Sequence, residues 1–340
     1  MTAGRDTDLG SVLVTGATGQ VGRRLVAALR QEGQAVSVLT RSPEVAERLW
    51  PEGAVEIRVA DLRSGSRLAG IGSGVDTVFH LASHAPRPDE PDLYNAPDHW
   101  PVTALGSANL ADALRDSQVK RLVYVSTVKA MGDQVGALGS PADEDSVPAP
   151  NCLYGRAKRA AEQSLLGLGS ATGMKVSVMR LPMVYGLDEK GNIARLVAAV
   201  ASGRFPPWPR IANRRSAIHV EDAIAAALLM ARHPATGGQT YIATDGEAYS
   251  TRWMYEQTLI ALDRPIPRWS VPPWLLRRAA AGGSLAERLL GRCMPLTLEG
   301  LAKLTGDAWY SSEKLRRTLG FTPRHSLADE IPRLARRWRA

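Results

Sequence analysis

A short apolar run, Ser11–Thr15 (SVLVT), leads directly into Gly16-Ala17-Thr18-Gly19-Gln20-Val21-Gly22, and apolar residues then recur at Val21, Leu25, Ala28 and Leu29. A buried strand, a glycine turn and an amphipathic helix in that order leave few folds open. The first glycine permits the tight turn, the second lets a pyrophosphate approach the backbone, and the third lets helix and strand pack closely. The helix N-terminus offers free N–H groups to phosphate. Gly16, Thr18, Gly19, Gln20, Val21 and Gly22 are therefore the expected phosphate-binding residues; the bland alternative is a plain turn.

The pattern repeats downstream. Strands are expected at Ala35–Leu39, Val55–Val59, Val75–His80, Arg121–Val125 and Val176–Met179, with helices at Gln20–Gln31, Leu105–Leu114 and from Asn151, a suitable cap, to about Leu166. Alternating strands and helices imply right-handed crossovers and a parallel sheet covered on both faces. The expected fold class is α/β, a Rossmann-type doubly wound parallel sheet with a smaller, mainly helical C-terminal substrate lobe. Residues 1–180 form the nucleotide-binding domain and 181–340 the lobe, with 211–243 returning to the main sheet through Gln239–Ala243. Helical spacing in the lobe marks Ile193–Ala201, His219–Ala231, Thr251–Ala261 and Trp274–Leu290.

Composition narrows the function. A hydrophobic fraction of 44% in 340 residues supports a large core. The net charge of +8 comes from scattered arginines without a polybasic block, which favours an anionic small ligand over nucleic acid. Two cysteines, Cys152 and Cys293, make neither a disulfide framework nor a metal site, so no metal is expected. The longest apolar run, Ala223–Ala231, is far short of a membrane span, and a soluble cytoplasmic protein is the default expectation.

Two further clusters carry chemistry. The second strand ends Thr40-Arg41. NAD-binding chains place an acidic residue there for the ribose hydroxyl, whereas an arginine suits the extra phosphate of NADP; NADP is the preferred cofactor and NAD the alternative. Tyr154 and Lys158 stand four apart, on one face of the expected helix. A phenol titrates near 10, and an adjacent ammonium lowers that value, so the pair can exchange a proton while hydride moves. With eight tyrosines and seven lysines in the chain, this spacing is uncommon by chance. A third hydroxyl, from Ser126 or Thr127 after the fifth strand, would hydrogen-bond the substrate oxygen.

These elements, with GxxGxxG spacing in place of GxGxxG, resemble the extended short-chain dehydrogenase/reductases, the NAD-dependent epimerase/dehydratase family. The likeness spans about residues 11–335. It continues in Arg180-Leu181-Pro182-Met183-Val184-Tyr185-Gly186, in Arg215-Ser216-Ala217-Ile218-His219-Val220-Glu221-Asp222 and in Ser311 to Pro323. The resemblance implies that Asp61 and Leu62 lie by the adenine, that Leu81 and Ala82 lie against the cofactor with Ser83 towards substrate, and that Thr127, not Ser126, is the active hydroxyl. His80 is read as a packed structural histidine. Lys190-Gly191-Asn192 and Asn213-Arg214-Arg215-Ser216 are most similar to bacterial UDP-sugar 4-epimerases and to C4 reductases of the UDP-N-acetylquinovosamine type. This likeness implies a nucleotide-sugar substrate contacted by Asn192 and Arg215, and a homodimer through the helices at 105–114 and 151–166. Three departures stand out: Thr103 in place of an asparagine, Met131 in place of a tyrosine, and Arg41, which suits exchangeable NADPH and a reductase.

One alternative is a hydroxysteroid- or lipid-type dehydrogenase of the same superfamily. It is motivated by the basic, Trp- and Leu-rich segment 269–294, which either packs as a lid or makes peripheral contact with a membrane. A non-enzymatic cofactor-binding protein is the other; the complete Thr127, Tyr154 and Lys158 set argues against it.

Overall fold

The computed structural model describes residues 8–51, 53–85, 92–137, 139–187, 191–290, 294 and 296–338; Lys190 and Cys293 fall outside them. Seven parallel strands form the main sheet: β1 (Val12–Thr15), β2 (Val36–Thr40), β3 (Glu56–Val59), β4 (Thr77–His80), β5 (Arg121–Thr127), β6 (Lys175–Leu181) and β9 (Thr240–Ile242), in the order β3-β2-β1-β4-β5-β6-β9. β7 (Met183–Tyr185), β8 (Arg215–His219) and β10 (Ala248–Tyr249) make a separate small sheet. Of the span 211–243, only Thr240–Ile242 joins the main sheet; Arg215–His219 pairs with β7 and β10 instead. Pro182 lies between β6 and β7 and has no N–H to continue the ladder, so the chain leaves the main sheet there.

The period-two alternation of each strand divides the core. Val12, Val14, Phe79, Val123 and Met179 pack on one face of the sheet, with α1 (Gln20–Gln31) and α6 (Val220–Arg232). Leu13, Val78, Leu122, Tyr124 and Val178 pack on the other, with α3 (Gly106–Leu114) and α4 (Leu153–Thr172). α2 (Pro43–Leu49) follows β2. The lobe carries α5 (Asn192–Ala201), α7 (Thr251–Ala261), α8 (Pro273–Leu290), α9 (Leu298–Thr305) and α11 (Leu327–Ala335), whereas α10 (Glu313–Leu319) returns to pack beside β9, with Leu315 and Leu319 in the core of the main sheet. Trp208, Tyr255, Leu259 and Ile331 are buried in the lobe's own core.

Three local expectations change. β5 runs on to Thr127, so Ser126 and Thr127 lie on the strand itself. A π-helical turn, Trp100–Leu105, precedes α3, and its Thr103 hydroxyl accepts the His84 N–H at 3.1 Å. The cap of α4 is Cys152, not Asn151: its sulfur accepts from the Gly155 N–H at 3.4 Å, and the helix continues six residues past Leu166 to Thr172. Gly167 and Gly169 do not stop it; Gly169 lies where a Cβ would come within 2.9 Å of the Met174 carbonyl oxygen.

Candidate active site

The C-terminal ends of β1 and β4 meet at the glycine turn. Gly16 has φ +68°, and a Cβ on it would lie 2.6 Å from the Ala82 nitrogen, so Leu81 and Ala82 abut the turn. A Cβ on Gly22 would lie 2.3 Å from the Gly16 carbonyl oxygen. The third glycine therefore packs against the turn and not against a strand. The Gly19 N–H closes the turn on the Gly16 carbonyl at 3.0 Å. α1 begins with no side-chain cap and no acidic residue in its first turn, which leaves N–H groups and a positive dipole end suited to a pyrophosphate. The residues here fit a dinucleotide.

At the ends of β2 and β3, Arg41 is exposed and its charge reaches Asp61. Asp61 is bound by Arg63 at 2.7 Å, and that bond holds its carboxyl below the usual range. The Leu62 carbonyl accepts from the Asn109 side chain at 2.8 Å. His80 is fully buried, with Nδ1 2.6 Å from Thr15 and Nε2 2.8 Å from Ser107; burial lowers it to about 3, so it is a neutral tie between β1, β4 and α3.

Beyond these ends opens a cleft of about 1250 Å³, lined in part by Ser83, Thr127, Tyr154, Asn192 and Arg215. Ser83, Asn192 and Arg215 come from three separated stretches of chain, so the fold brings the expected substrate residues to one cavity with Thr127 and Tyr154. The glycine turn, Arg41, Asp61, Leu62, Leu81, Ala82 and Lys158 lie outside its lining.

The start of α4 is fixed by several contacts. The Leu153 N–H donates to Asn95 Oδ1 and the Tyr154 N–H to the Tyr94 carbonyl, both at 2.9 Å. Gly155 permits contact with the turn after β5, because a Cβ there would lie 2.3 Å from the Lys129 carbonyl oxygen. Burial pushes the Tyr154 phenol up to about 12, against the lowering effect of the Thr127 hydroxyl beside it. Lys158 is buried, its Nζ donates to the Val125 carbonyl at 2.9 Å, and it lies 4.8 Å from the Tyr124 ring centre. Burial lowers it to about 8, opposed by the Glu162 carboxylate. The expected direct lowering of Tyr154 by Lys158 is not seen: the amine is turned to the strand and desolvation dominates the phenol. Ser126 donates to Glu162 at 2.6 Å and faces away from this chemistry.

Four further cleft residues stand outside the sequence motifs. The Tyr94 and His99 rings lie 6.0 and 5.0 Å from that of Tyr154. Lys129 and Lys303 lie over the Tyr94 ring, at 4.9 and 4.2 Å from its centre. Lys129, two residues past Thr127, had a local signal; the others reach the cleft only through tertiary packing. Arg215 is half-buried, bonds the Lys303 and Gly306 carbonyls, and makes no ion pair with a carboxylate among the described residues. No group of three metal-ligand side chains is found among the described residues. No described helix is long and apolar enough to cross a membrane.

A UDP-glucose 4-epimerase of Vibrio cholerae is 27% identical over 96% of the chain and 94% of its own length. A 3-beta-hydroxysteroid dehydrogenase of Mycolicibacterium neoaurum is 28% identical, over 96% and 92%. Among solved structures, MoeE5 in complex with UDP-glucuronic acid and NAD superposes with a TM-score of 0.69 at 24% identity, covering 96% of this chain and 99% of that one. The model of the NAD dependent epimerase/dehydratase family matches residues 12–244. With that match over most of its length, the chain belongs to the NAD-dependent epimerase/dehydratase family of extended short-chain dehydrogenase/reductases, whose cofactor is a nicotinamide dinucleotide.

Proposed function

We propose that the protein is an oxidoreductase that reduces a 4-keto nucleotide-diphospho-sugar, or epimerises such a sugar, by hydride transfer at C4. The observation that carries this reading is Arg215. A half-buried guanidinium lining the cleft, hydrogen-bonded to the Lys303 and Gly306 carbonyls and in no ion pair among the described residues, is suited to an anionic ligand. Its fork matches a diphosphate, and Lys129, Lys303 and Asn192 line the same cavity.

In this reading the turn from Gly16 to Gly22 holds the pyrophosphate, Leu81 and Ala82 back it, and Asp61 and Leu62 flank the adenine. Arg41 takes the ribose phosphate of NADP. The bound nicotinamide supplies or accepts the hydride. Thr127 hydrogen-bonds the substrate oxygen, and Ser83 orients the sugar. Tyr154, held protonated by burial, gives its proton to that oxygen in the reducing direction. The Lys158 ammonium then offsets the phenolate charge.

A second reading, a hydroxysteroid or keto-lipid dehydrogenase, draws on the steroid dehydrogenase likeness and on the apolar Leu93, Val128, Met183 and Leu187 in the cleft wall. One assay separates them. NADPH absorbance is followed with a UDP-4-keto-6-deoxy-hexosamine, and sugar interconversion is followed without added cofactor. Consumption with the keto-sugar supports the reductase and interconversion the epimerase; turnover of a steroid with neither overturns the nucleotide-sugar reading.

A further inference from the structure

We propose that the outer face of α8 is a docking surface for an anionic lipid bilayer. This inference rests on neither reading of the cleft. The helix has an inner face that explains its fold: Leu276 and Ala280 are buried in the lobe core, and Gly283 approaches the Leu296 carbonyl so closely that no Cβ would fit. The outer face has no such account. Trp274, Arg278, Ala281, Leu285 and Leu289 follow each other at helical spacings of four, three, four and four, and so form one stripe. Trp274, Leu285 and Leu289 are 59%, 58% and 75% exposed, and Trp269 on the preceding loop is 64% exposed. Large apolar side chains gathered on one exposed helix face mark an interaction surface.

Charge decides what covers it. Between residues 268 and 290 there are four arginines, Arg268, Arg277, Arg278 and Arg288, and a single acid, Glu287. All four arginine side chains belong to the exposed or rim positions of this segment, whereas Glu287 is half-buried and accepts from the Met294 N–H. Arg278 lies over the Trp274 ring, 5.6 Å from its centre, so cation and indole share one patch. A second copy docked through the same face about a twofold axis would set these arginines against their own images. An anionic interface instead accepts the indoles and leucines at headgroup depth and neutralises the guanidinium groups.

The test is co-sedimentation of the full chain with vesicles of phosphatidylcholine alone and of phosphatidylcholine with equal phosphatidylglycerol. Binding to the mixed vesicles, weakened by 0.5 M salt and absent on the neutral ones, is expected. Each arginine near such a surface is worth about fivefold in partition, so Arg277→Glu with Arg278→Glu should weaken binding by about 25-fold or more. Trp274→Ser with Leu285→Ser and Leu289→Ser should abolish it. Both variants should keep the parent melting temperature and dinucleotide affinity, since the replaced side chains are outside both cores and the cleft. Absence of the parent chain from anionic vesicles overturns the proposal. So does sedimentation velocity showing a parent dimer that the triple variant converts to monomer, because the stripe is then a self-interface; loss of fold in both variants moves the decision to quenching of parent tryptophan fluorescence by brominated lipid, where no quenching overturns it.

Discussion

Arg180 on β6 meets Glu162 on α4 through two charged hydrogen bonds, 2.9 and 2.7 Å long, with both side chains out of solvent. Ser126 and Arg159 complete the shell of the carboxylate. One helical turn before Glu162 stands Lys158, so this pair clamps the helix that carries Tyr154 and Lys158 to the strands beneath it. Removing one partner strands a buried charge, at a cost of about 3–5 kcal/mol. Arg180→Met should lower the urea unfolding free energy by that amount, and Arg180→Met with Glu162→Met should recover part of it. A single-variant loss under about 1 kcal/mol would show that the pair is not a clamp.

Gly16 and Gly33 share a left-handed backbone, at φ +68° and +78°, but only Gly16 has backbone within reach of a Cβ. Gly16→Ala should weaken dinucleotide binding by tenfold or more and lower the melting temperature. Gly33→Ala should cost only the backbone strain, about 1 kcal/mol, with binding unchanged. Equal effects of the two on titration calorimetry would contradict the role given to the turn.

Arg41 should set the cofactor. Arg41→Ala is expected to raise the KM for NADPH about tenfold and to leave that for NADH within twofold, as loss of one phosphate contact requires. Steady-state kinetics with both cofactors checks this, and an unchanged NADPH KM counts against it.

Much of this was legible in the sequence because it is local. The strand, glycine turn and helix at 11–31, and the Tyr154 to Lys158 spacing, are contained within single stretches, and Thr251–Ala261 shows its period over three turns. β7 and β10, at three and two residues, are too short to show alternation, so the small sheet, and the pairing of Arg215–His219 within it, has no sequence signal. The raised value of Tyr154 is hidden in the sequence for a related reason: spacing along a helix says that two side chains share a face, not that the amine turns to Val125. Tyr94, His99 and Lys303 reach the cleft from segments with no motif of their own.

Lys158 gives a pH prediction of definite sign. Its folded value, about 8, lies below the unfolded 10.5, so the unfolded chain binds more protons between them and this residue's contribution to stability rises with pH across that window. Lys158→Met should melt no lower than the parent at pH 7, lose any advantage towards pH 10, and have at least a hundredfold lower kcat. The parent's kcat should fall as pH rises through about 8, where the ammonium is lost. A variant that is both active and less stable at pH 7 would refute the assignment.

The central claim is that the Tyr154 hydroxyl moves the proton that accompanies hydride transfer. The most direct measurement is single-turnover NADPH oxidation by Tyr154→Phe with the keto-sugar, alongside calorimetric binding of the dinucleotide. The expected rate is at least a thousandfold below the parent's, with dinucleotide affinity preserved. A rate within tenfold of the parent's would contradict it.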